Sequence, residues 1–189
     1  TIIPRNAKLT KLKIVLVGSG LVGKTSVISS YVDKFSTDVP LKLDECLRRV
    51  QVDDLYYEQY IIDTHGQEDA DSTRPEFYTG TDVFLLCFSV VNPVSFQDVQ
   101  DKWYPEIRQH CPDTPIILVG NKIDMRGDKR TLAQLTLKGL LPVTPEEGTS
   151  LDGYHECSAK TWENIYALFE RATRVVARKT EKGQGKKKK

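Results

Sequence analysis

The sequence predicts an α/β fold with a mostly parallel sheet, one antiparallel pair of strands and crossover helices. Short apolar runs alternate with stretches whose apolar residues repeat at helical spacing, which is typical of strands joined by crossover helices. Two strand-like segments, residues 45–53 and 55–63, meet at Asp53-Asp54 and predict a hairpin. This hairpin supplies the antiparallel pair of the sheet.

The remaining strands are predicted from apolar runs. The first run covers residues 12–17 and leads directly into a glycine-rich loop. Two later runs, residues 83–89 and 116–120, are almost continuously apolar, as expected for parallel strands that are covered on both faces. Because parallel strands need long crossovers, helices are expected between them.

Three helices are predicted from apolar positions that repeat every three or four residues. One follows the glycine loop and one lies near the C-terminus. The helix between them begins at Asn92-Pro93, because Asn is a good cap and Pro is tolerated in the first turn. The apolar positions are Val27, Ile28 and Tyr31, then Phe96, Val99, Trp103 and Ile107, then Ile165, Leu168, Phe169, Ala172 and Val176.

Composition and charge narrow the class of protein. The chain has 189 residues, enough for one domain with a real core, and its 39 % hydrophobic and 28 % charged residues are typical of a globular protein. Of 27 basic and 26 acidic residues, nine basic and one acidic residue lie in residues 171–189. An acidic body with a basic tail argues against nucleic-acid binding and favours weak attraction to an anionic membrane surface.

Cysteine, histidine and hydropathy patterns give no sign of a zinc site or of secretion. The four cysteines and three histidines are scattered, so reduced thiols in a cytoplasmic protein are expected. The N-terminus lacks the apolar core of a signal peptide, and the longest apolar stretch, residues 83–91, is too short to span a bilayer. A soluble cytoplasmic protein is expected, with peripheral contact at the cytoplasmic face of a membrane as the alternative.

The clearest chemical motif is Gly18-Ser19-Gly20-Leu21-Val22-Gly23-Lys24-Thr25, which matches the phosphate-binding pattern G-x-x-x-x-G-K-T. It follows a strand and precedes a helix, so that backbone N–H groups and the helix N-terminus can face phosphate oxygens. Lys24 is expected to neutralise the β- and γ-phosphates and the Thr25 hydroxyl to bind Mg²⁺. The predicted site extends to Ser26. The alternative is an ordinary glycine turn.

A second motif, Asn121-Lys122-Ile123-Asp124, follows the strand at residues 116–120 and predicts the base. The Asp124 carboxylate can accept hydrogen bonds from both the N1–H and the 2-amino group of guanine, whereas adenine lacks this pair of donors. Alone, the motif could be a plain turn at the end of a strand. Together with the phosphate loop, it indicates guanine-nucleotide binding.

Four motifs together resemble those of the small GTPases of the Ras superfamily. They are the phosphate loop, Asp63-Thr64-His65-Gly66-Gln67, Asn121 to Asp124, and Ser158-Ala159-Lys160. Residues 103–107, 111–120 and 156–159 resemble the Rho family in particular. The resemblance implies a P-loop NTPase G domain over residues 11–178, with a mostly parallel six-stranded sheet, one antiparallel edge strand and helices on both faces. Residues 1–10 are then an N-terminal extension. Residues 179–189 are too polar to pack, so a disordered basic tail is expected there.

The resemblance also implies a role for each matching residue. Asp63 would hold Mg²⁺ through water, the Gly66 N–H would contact the γ-phosphate, and Gln67 would orient the attacking water, with Lys24 as the second catalytic residue. Phe35 would pack against guanine, and the Ala159 N–H would bind its O6. Ser158 and Lys160 complete the base site. The implied ligands are GDP or GTP with Mg²⁺, and the implied partners are effectors, exchange factors and GTPase-activating proteins.

An insert typical of the Rho family is expected at residues 126–141. Its helix is predicted to begin with a capping box at Thr131-Leu132-Ala133-Gln134. A solvated surface helix without a partner is the alternative. Residues 143–154 are shorter than in the family, and Thr144-Pro145-Glu146-Glu147 predicts only a turn or a single helical turn there.

The two switch segments depart from the family pattern. Leu41 stands where the family has a threonine that closes over Mg²⁺ and the γ-phosphate, and Thr37 is the nearest hydroxyl upstream. His65 replaces a small alanine; it could obstruct the neighbouring peptide, contact phosphate or face solvent. The chain also ends in four lysines without the lipidated cysteine that is usual in the Rho family.

Two functional hypotheses follow. The first is a Rho-like molecular switch that binds guanine nucleotide and hydrolyses GTP slowly. The second is a nucleotide-bound interaction module that scarcely hydrolyses or switches, because Leu41 has no side-chain oxygen for the metal. A third reading, an ATPase or kinase, fails if the nucleotide released from the denatured protein is guanine.

Overall fold

The computed structural model describes residues 3–4, 6–33, 40–42, 45–64, 74–149 and 153–185. These residues form one seven-stranded sheet covered by helices on both faces. The strands are β1 Leu9–Val17, β2 Pro40–Lys42, β3 Glu45–Val52, β4 Leu55–Asp63, β5 Val83–Ser89, β6 Ile116–Asn121 and β7 His155–Cys157. The helices are α1 Lys24–Asp33, α2 Pro93–Asp98, α3 Tyr104–His110, α4 Lys129–Leu137, α5 Pro145–Thr149 and α6 Ile165–Gly185.

The order of the strands is β2-β3-β4-β1-β5-β6-β7. The five strands from β4 to β7 in this order are all parallel to one another. Strand β3 is antiparallel to β4. The predicted mostly parallel sheet with an antiparallel strand is confirmed. The three-residue strand β2 extends it by pairing antiparallel with β3 at the edge, where its Pro40 is tolerated.

The two faces of the sheet bury separate apolar clusters. On one face Ile14, Leu16 and Leu85 pack with residues of α1 and α6. On the other face Val15 and Val17 pack with residues of the helix that follows β5. Alternate residues of β1 therefore face opposite layers, which explains why its last four residues, 14–17, are all apolar and buried.

The predicted hairpin is present, with Val52 opposite Leu55 and a two-residue turn at Asp53-Asp54. Asp53 has a φ of +54°, which aspartate tolerates better than most residues. The predicted helix at Pro93 is also present, but the Asn92 side chain makes no capping hydrogen bond. Instead, the Ser95 hydroxyl donates to the Asn92 carbonyl at 2.6 Å.

The helix of the insert begins three residues earlier than its sequence predicted. Asp128 is the N-cap, and its carboxylate accepts from the Thr131 N–H at 2.9 Å. The capping-box start at Thr131 is therefore wrong, because Asp128 precedes Thr131 on the same helix face and is an equally good cap. The short helix α5 agrees with prediction and carries a reciprocal cap. Thr144 N–H donates to the Glu147 carboxylate, and Glu147 N–H donates to the Thr144 hydroxyl.

Helix α6 extends to Gly185 and so includes residues 179–185, the first part of the tail for which the sequence predicted disorder. The residue types between Val176, the last residue of the apolar stripe, and Gly183 are all tolerated in helices. In addition, Lys179 Nζ donates a hydrogen bond to the Asp113 carbonyl at 2.7 Å. Residues 186–189 lie outside the described part. Across the described residues, no helix has both the length and the apolar character that crossing a lipid bilayer requires.

Candidate functional site

The predicted site residues meet at the carboxyl edge of the sheet. The phosphate loop follows β1, Asp63 ends β4, Asn121 ends β6, and Ser158 follows β7. Because all four strands are parallel, their carboxyl ends lie at the same edge, where α/β proteins of this type bind ligands. The fold therefore brings together residues that are far apart in sequence.

Two glycines give the phosphate loop a backbone that other residues rarely adopt. Gly18 has a φ of +145°, and Gly23 has a φ of +103°. A Cβ atom on Gly18 would lie 2.1 Å from the Cys87 carbonyl oxygen of β5. Leu21 adopts a φ of +63° with its side chain 94 % exposed. The glycines are thus structurally required, whereas the Leu21 side chain takes no part in the packing of the loop.

Lys24 is the buried cation of the loop. It is the first residue of α1 and is only 6 % exposed. Its Nζ donates to the Gly18 carbonyl at 2.7 Å and to the Ser19 carbonyl at 3.0 Å. A buried ammonium beside a helix N-terminus is a site for an anion. The predicted phosphate role of Lys24 is consistent with this placement.

Asn121 and Lys122 support the phosphate loop from the base motif. Asn121 Nδ2 donates to the Val22 carbonyl at 3.1 Å, and Lys122 Nζ donates to the Leu21 carbonyl at 2.7 Å. The Cys157 thiol in turn donates to Asn121 Oδ1 at 3.1 Å. Burial raises the pKa of Cys157, which keeps the thiol protonated and able to donate. These two residues of the base motif therefore hold the phosphate loop in place.

Thr25 and Asp63 form the predicted metal-binding pair. The Thr25 hydroxyl donates to Asp63 Oδ2, which places two oxygen ligands together at the start of α1 and the end of β4. Oxygen is the ligand atom that Mg²⁺ prefers, so these residues fit the ion. No group of three or more His, Cys, Asp or Glu side chains suited to a metal occurs among the described residues.

The base end of the site is a cavity of about 200 Å³. Asp124 lies in its wall, and Asp124 Oδ1 accepts from the Ser158 hydroxyl at 2.6 Å. Ser158 also accepts from the Thr161 N–H at 3.1 Å and is fully buried, so its role is to orient Asp124. The lining consists of Gly23, Ser26, Val27, Asn121, Lys122, Asp124, Met125, Ala159 and Lys160.

A polar network of Arg126, Tyr154 and Glu156, which no sequence pattern predicted, lies near this cavity. Arg126 donates to both carboxylate oxygens of Glu156, at 2.5 and 3.0 Å, and Tyr154 donates to the same carboxylate at 2.6 Å. Burial alone would raise the pKa of Glu156, but these hydrogen bonds lower it. The Arg126–Glu156 pair therefore stays ionised, and Arg126 lies two residues beyond Asp124 in the sequence.

Tyr154 of this network fills a space that two glycines leave open. A Cβ atom on Gly120 would lie 2.5 Å from the Tyr154 hydroxyl, and one on Gly148 would lie 2.2 Å from its ring. Neither glycine has a positive φ, so the requirement is one of space and not of backbone conformation. The Tyr154 ring also stacks near Phe88, at 6.1 Å between ring centroids.

Several predicted residues lie outside the described part of the chain. They are Phe35, Thr37, His65, Gly66 and Gln67. Leu41 is described only as backbone, within β2. The water-orienting role of Gln67, the contact of Phe35 with guanine and the replacement of the switch threonine therefore stay predictions.

Comparison with known protein families gives a match over most of the chain. Residues 13–178 match a model described as the Ras family. The matched range begins within β1, ends within α6 and includes the phosphate loop, the Thr25–Asp63 pair and the base cavity.

Proposed function

The chain belongs to the Ras family of GTP-binding small GTPases, and we propose that it is a Rho-type switch that binds GDP and GTP with Mg²⁺ and hydrolyses GTP slowly. The observation that supports this most directly is the cavity lined by both Gly23 of the phosphate loop and Asp124 of the base motif. One ligand with a purine and a polyphosphate can engage both. The Rho assignment is supported by the motifs at residues 103–107 and 156–159 and by helix α4 after the base motif.

The proposed chemistry divides among residues already described. Lys24 supplies a buried positive charge against the β- and γ-phosphates, and Asp124, oriented by Ser158, accepts from guanine. Thr25 and, through water, Asp63 would hold Mg²⁺, which neutralises charge on the phosphates when bound. Gln67 orients the attacking water. Efficient hydrolysis would then depend on an arginine supplied by an activating protein, which in such systems is worth about 10³- to 10⁵-fold.

Leu41 favours the second candidate, a nucleotide-bound interaction module. A ligand shifts a conformational equilibrium only through contacts that differ between two states. Leucine cannot give Mg²⁺ a side-chain oxygen, so the difference between the GDP and GTP states is reduced. Both candidates require tight guanine-nucleotide binding and differ in hydrolysis.

The first experiment identifies the nucleotide. The purified full-length chain is denatured, and the released nucleotide is separated by chromatography. GDP or GTP in near-equimolar amount is expected. Adenine nucleotide, or none from protein that also fails to bind added GDP with Mg²⁺, would contradict the proposal.

The second experiment measures single-turnover GTP hydrolysis with Mg²⁺ for the native chain, Gln67→Leu and Leu41→Thr. The native chain is expected to hydrolyse GTP slowly but above the uncatalysed rate. Gln67→Leu should lower this rate, because leucine keeps the approximate size but cannot orient water, and Leu41→Thr should raise it. A native rate equal to that of free GTP would reject the switch in favour of the interaction module.

A further inference from the structure

A hydrogen-bonded triad joins Ser19 of the phosphate loop to the helix after β5. The Ser19 hydroxyl donates to Asp98 Oδ2 at 2.7 Å and accepts from Trp103 Nε1 at 2.8 Å. Trp103 is 1 % exposed, whereas Ser19 and Asp98 are half-buried. We refer to these three side chains as the Asp98–Ser19–Trp103 clamp.

The helix geometry explains how two residues five positions apart reach one oxygen. In an α-helix each residue turns by about 100°, so side chains five positions apart point about 140° away from each other. Between α2 and α3, however, residues Val99–Trp103 form a π-helical turn. Its i→i+5 hydrogen bonds bring residue i+5 back over residue i, so Asp98 and Trp103 share a face. Such turns within helices occur frequently at functional sites.

Ser19 is well placed to transmit this restraint to the loop. From Ser19 to Gly23 it is the only residue whose side chain has a polar atom. Its carbonyl already accepts from Lys24 Nζ, and the carbonyls of Leu21 and Val22 accept from Lys122 and Asn121. The clamp therefore adds a side-chain restraint at the start of a loop that is otherwise held by its carbonyls.

We propose that the clamp positions the phosphate loop for its nucleotide, with Asp98 and Trp103 as positioning residues that act through Ser19. The inference rests on the proposed binding of guanine nucleotide. Without the clamp, the start of the loop has more freedom, and ordering it around a phosphate costs more conformational entropy. Bound GDP then dissociates faster, although neither positioning residue belongs to the nucleotide motifs.

The test measures dissociation of radiolabelled GDP from the full chain with Mg²⁺ and excess unlabelled GDP. Ser19→Ala removes both hydrogen bonds without touching the core, so it should accelerate GDP release by about tenfold. Trp103→Phe removes only the indole N–H, so it should accelerate GDP release by about three- to fivefold. The double variant should match Ser19→Ala, because both substitutions remove the same bond. Tyr104→Phe, which removes a hydroxyl from the partly exposed neighbouring ring, should release GDP at the native rate.

The outcomes separate the inference from the proposed function. If the native chain retains no GDP, both are wrong. If it retains GDP and Ser19→Ala releases it at the native rate, only the clamp is wrong. If Trp103→Phe accelerates release as much in the Ser19→Ala background as in the native chain, Trp103 acts as core packing alone, and its positioning role is rejected. Because Ser19→Ala leaves no cavity in the core, a folding failure of Trp103→Phe does not obscure the result.

Discussion

The phosphate end and the base end of the site are built in different ways. At the phosphate end the glycine backbone defines the loop, side chains from elsewhere hold its carbonyls, and the Leu21 side chain is exposed. At the base end a single side chain, Asp124, is aimed by Ser158. The phosphate end can therefore vary at Leu21, whereas the base end depends on the orientation of one carboxylate.

The largest effect is expected at the phosphate end from Lys24→Met, which keeps the apolar stem and removes the buried charge. Loss of a buried charged partner costs about 3 kcal/mol or more, so GDP affinity should fall at least about a hundredfold. Equilibrium binding of radiolabelled GDP measures this loss of affinity. Lys138→Met, at an exposed position after α4, is the control and should bind GDP normally. Unchanged affinity of Lys24→Met would mean that the loop holds phosphate by backbone alone.

The next effect is expected at the base end from Asp124→Asn, which exchanges an acceptor oxygen for an amide donor. GDP should bind about ten- to a hundredfold more weakly, because hydrogen bonds to a charged group are worth about 1.5–3 kcal/mol. Xanthosine diphosphate has a carbonyl in place of the 2-amino group, so it should bind Asp124→Asn more tightly than it binds the native chain. Competition between the two nucleotides measures this. An equal loss for both would show that Asp124 supports the fold and does not select the base.

A smaller effect is expected behind the base end from Glu156→Gln, which keeps the shape but removes the charge that Arg126 binds. The two side chains are 26 % and 18 % exposed, so solvent screens part of the interaction. The free energy of unfolding should fall by about 1 to 2 kcal/mol, measured by urea denaturation. Glu163→Gln, at an exposed position, is the control. No change in Glu156→Gln would show that the network does not stabilise this end.

The smallest effect concerns pH. Burial lowers the pKa of His155 below its ordinary 6.5, despite the hydrogen bond with the Asn164 carbonyl. As the pH falls, His155 therefore takes up a proton in the unfolded chain before it does so in the folded chain. The stability that comes from burying neutral His155 is present above pH 6.5 and is lost as the pH falls below it. In urea denaturation at pH 7.5 and 5.5, His155→Gln should lose less stability than the native chain. An equal loss would assign the pH dependence to other groups.

Contiguous patterns in the sequence predicted much of this molecule. The apolar runs of β4 and β5 are bounded by turn residues and agree with the observed strands, and the phosphate loop is one unbroken motif. The supporting contacts could not be predicted in this way. Asn121 and Lys122 reach carbonyls 99 and 101 residues away. The clamp depends on a π-helical turn, which the spacing of Phe96, Val99 and Trp103 does not distinguish from an α-helix.

The fit of the Tyr154 ring against Gly148 constrains how this protein can diverge. Gly148 sits in a short helix where alanine would ordinarily be the better residue, yet even one added methyl group meets a ring that Glu156 holds by its hydroxyl. The two positions must therefore change together. A lineage that gains a side chain at 148 is expected to replace the tyrosine in the same step or beforehand, and to give up the hydroxyl that Glu156 accepts from.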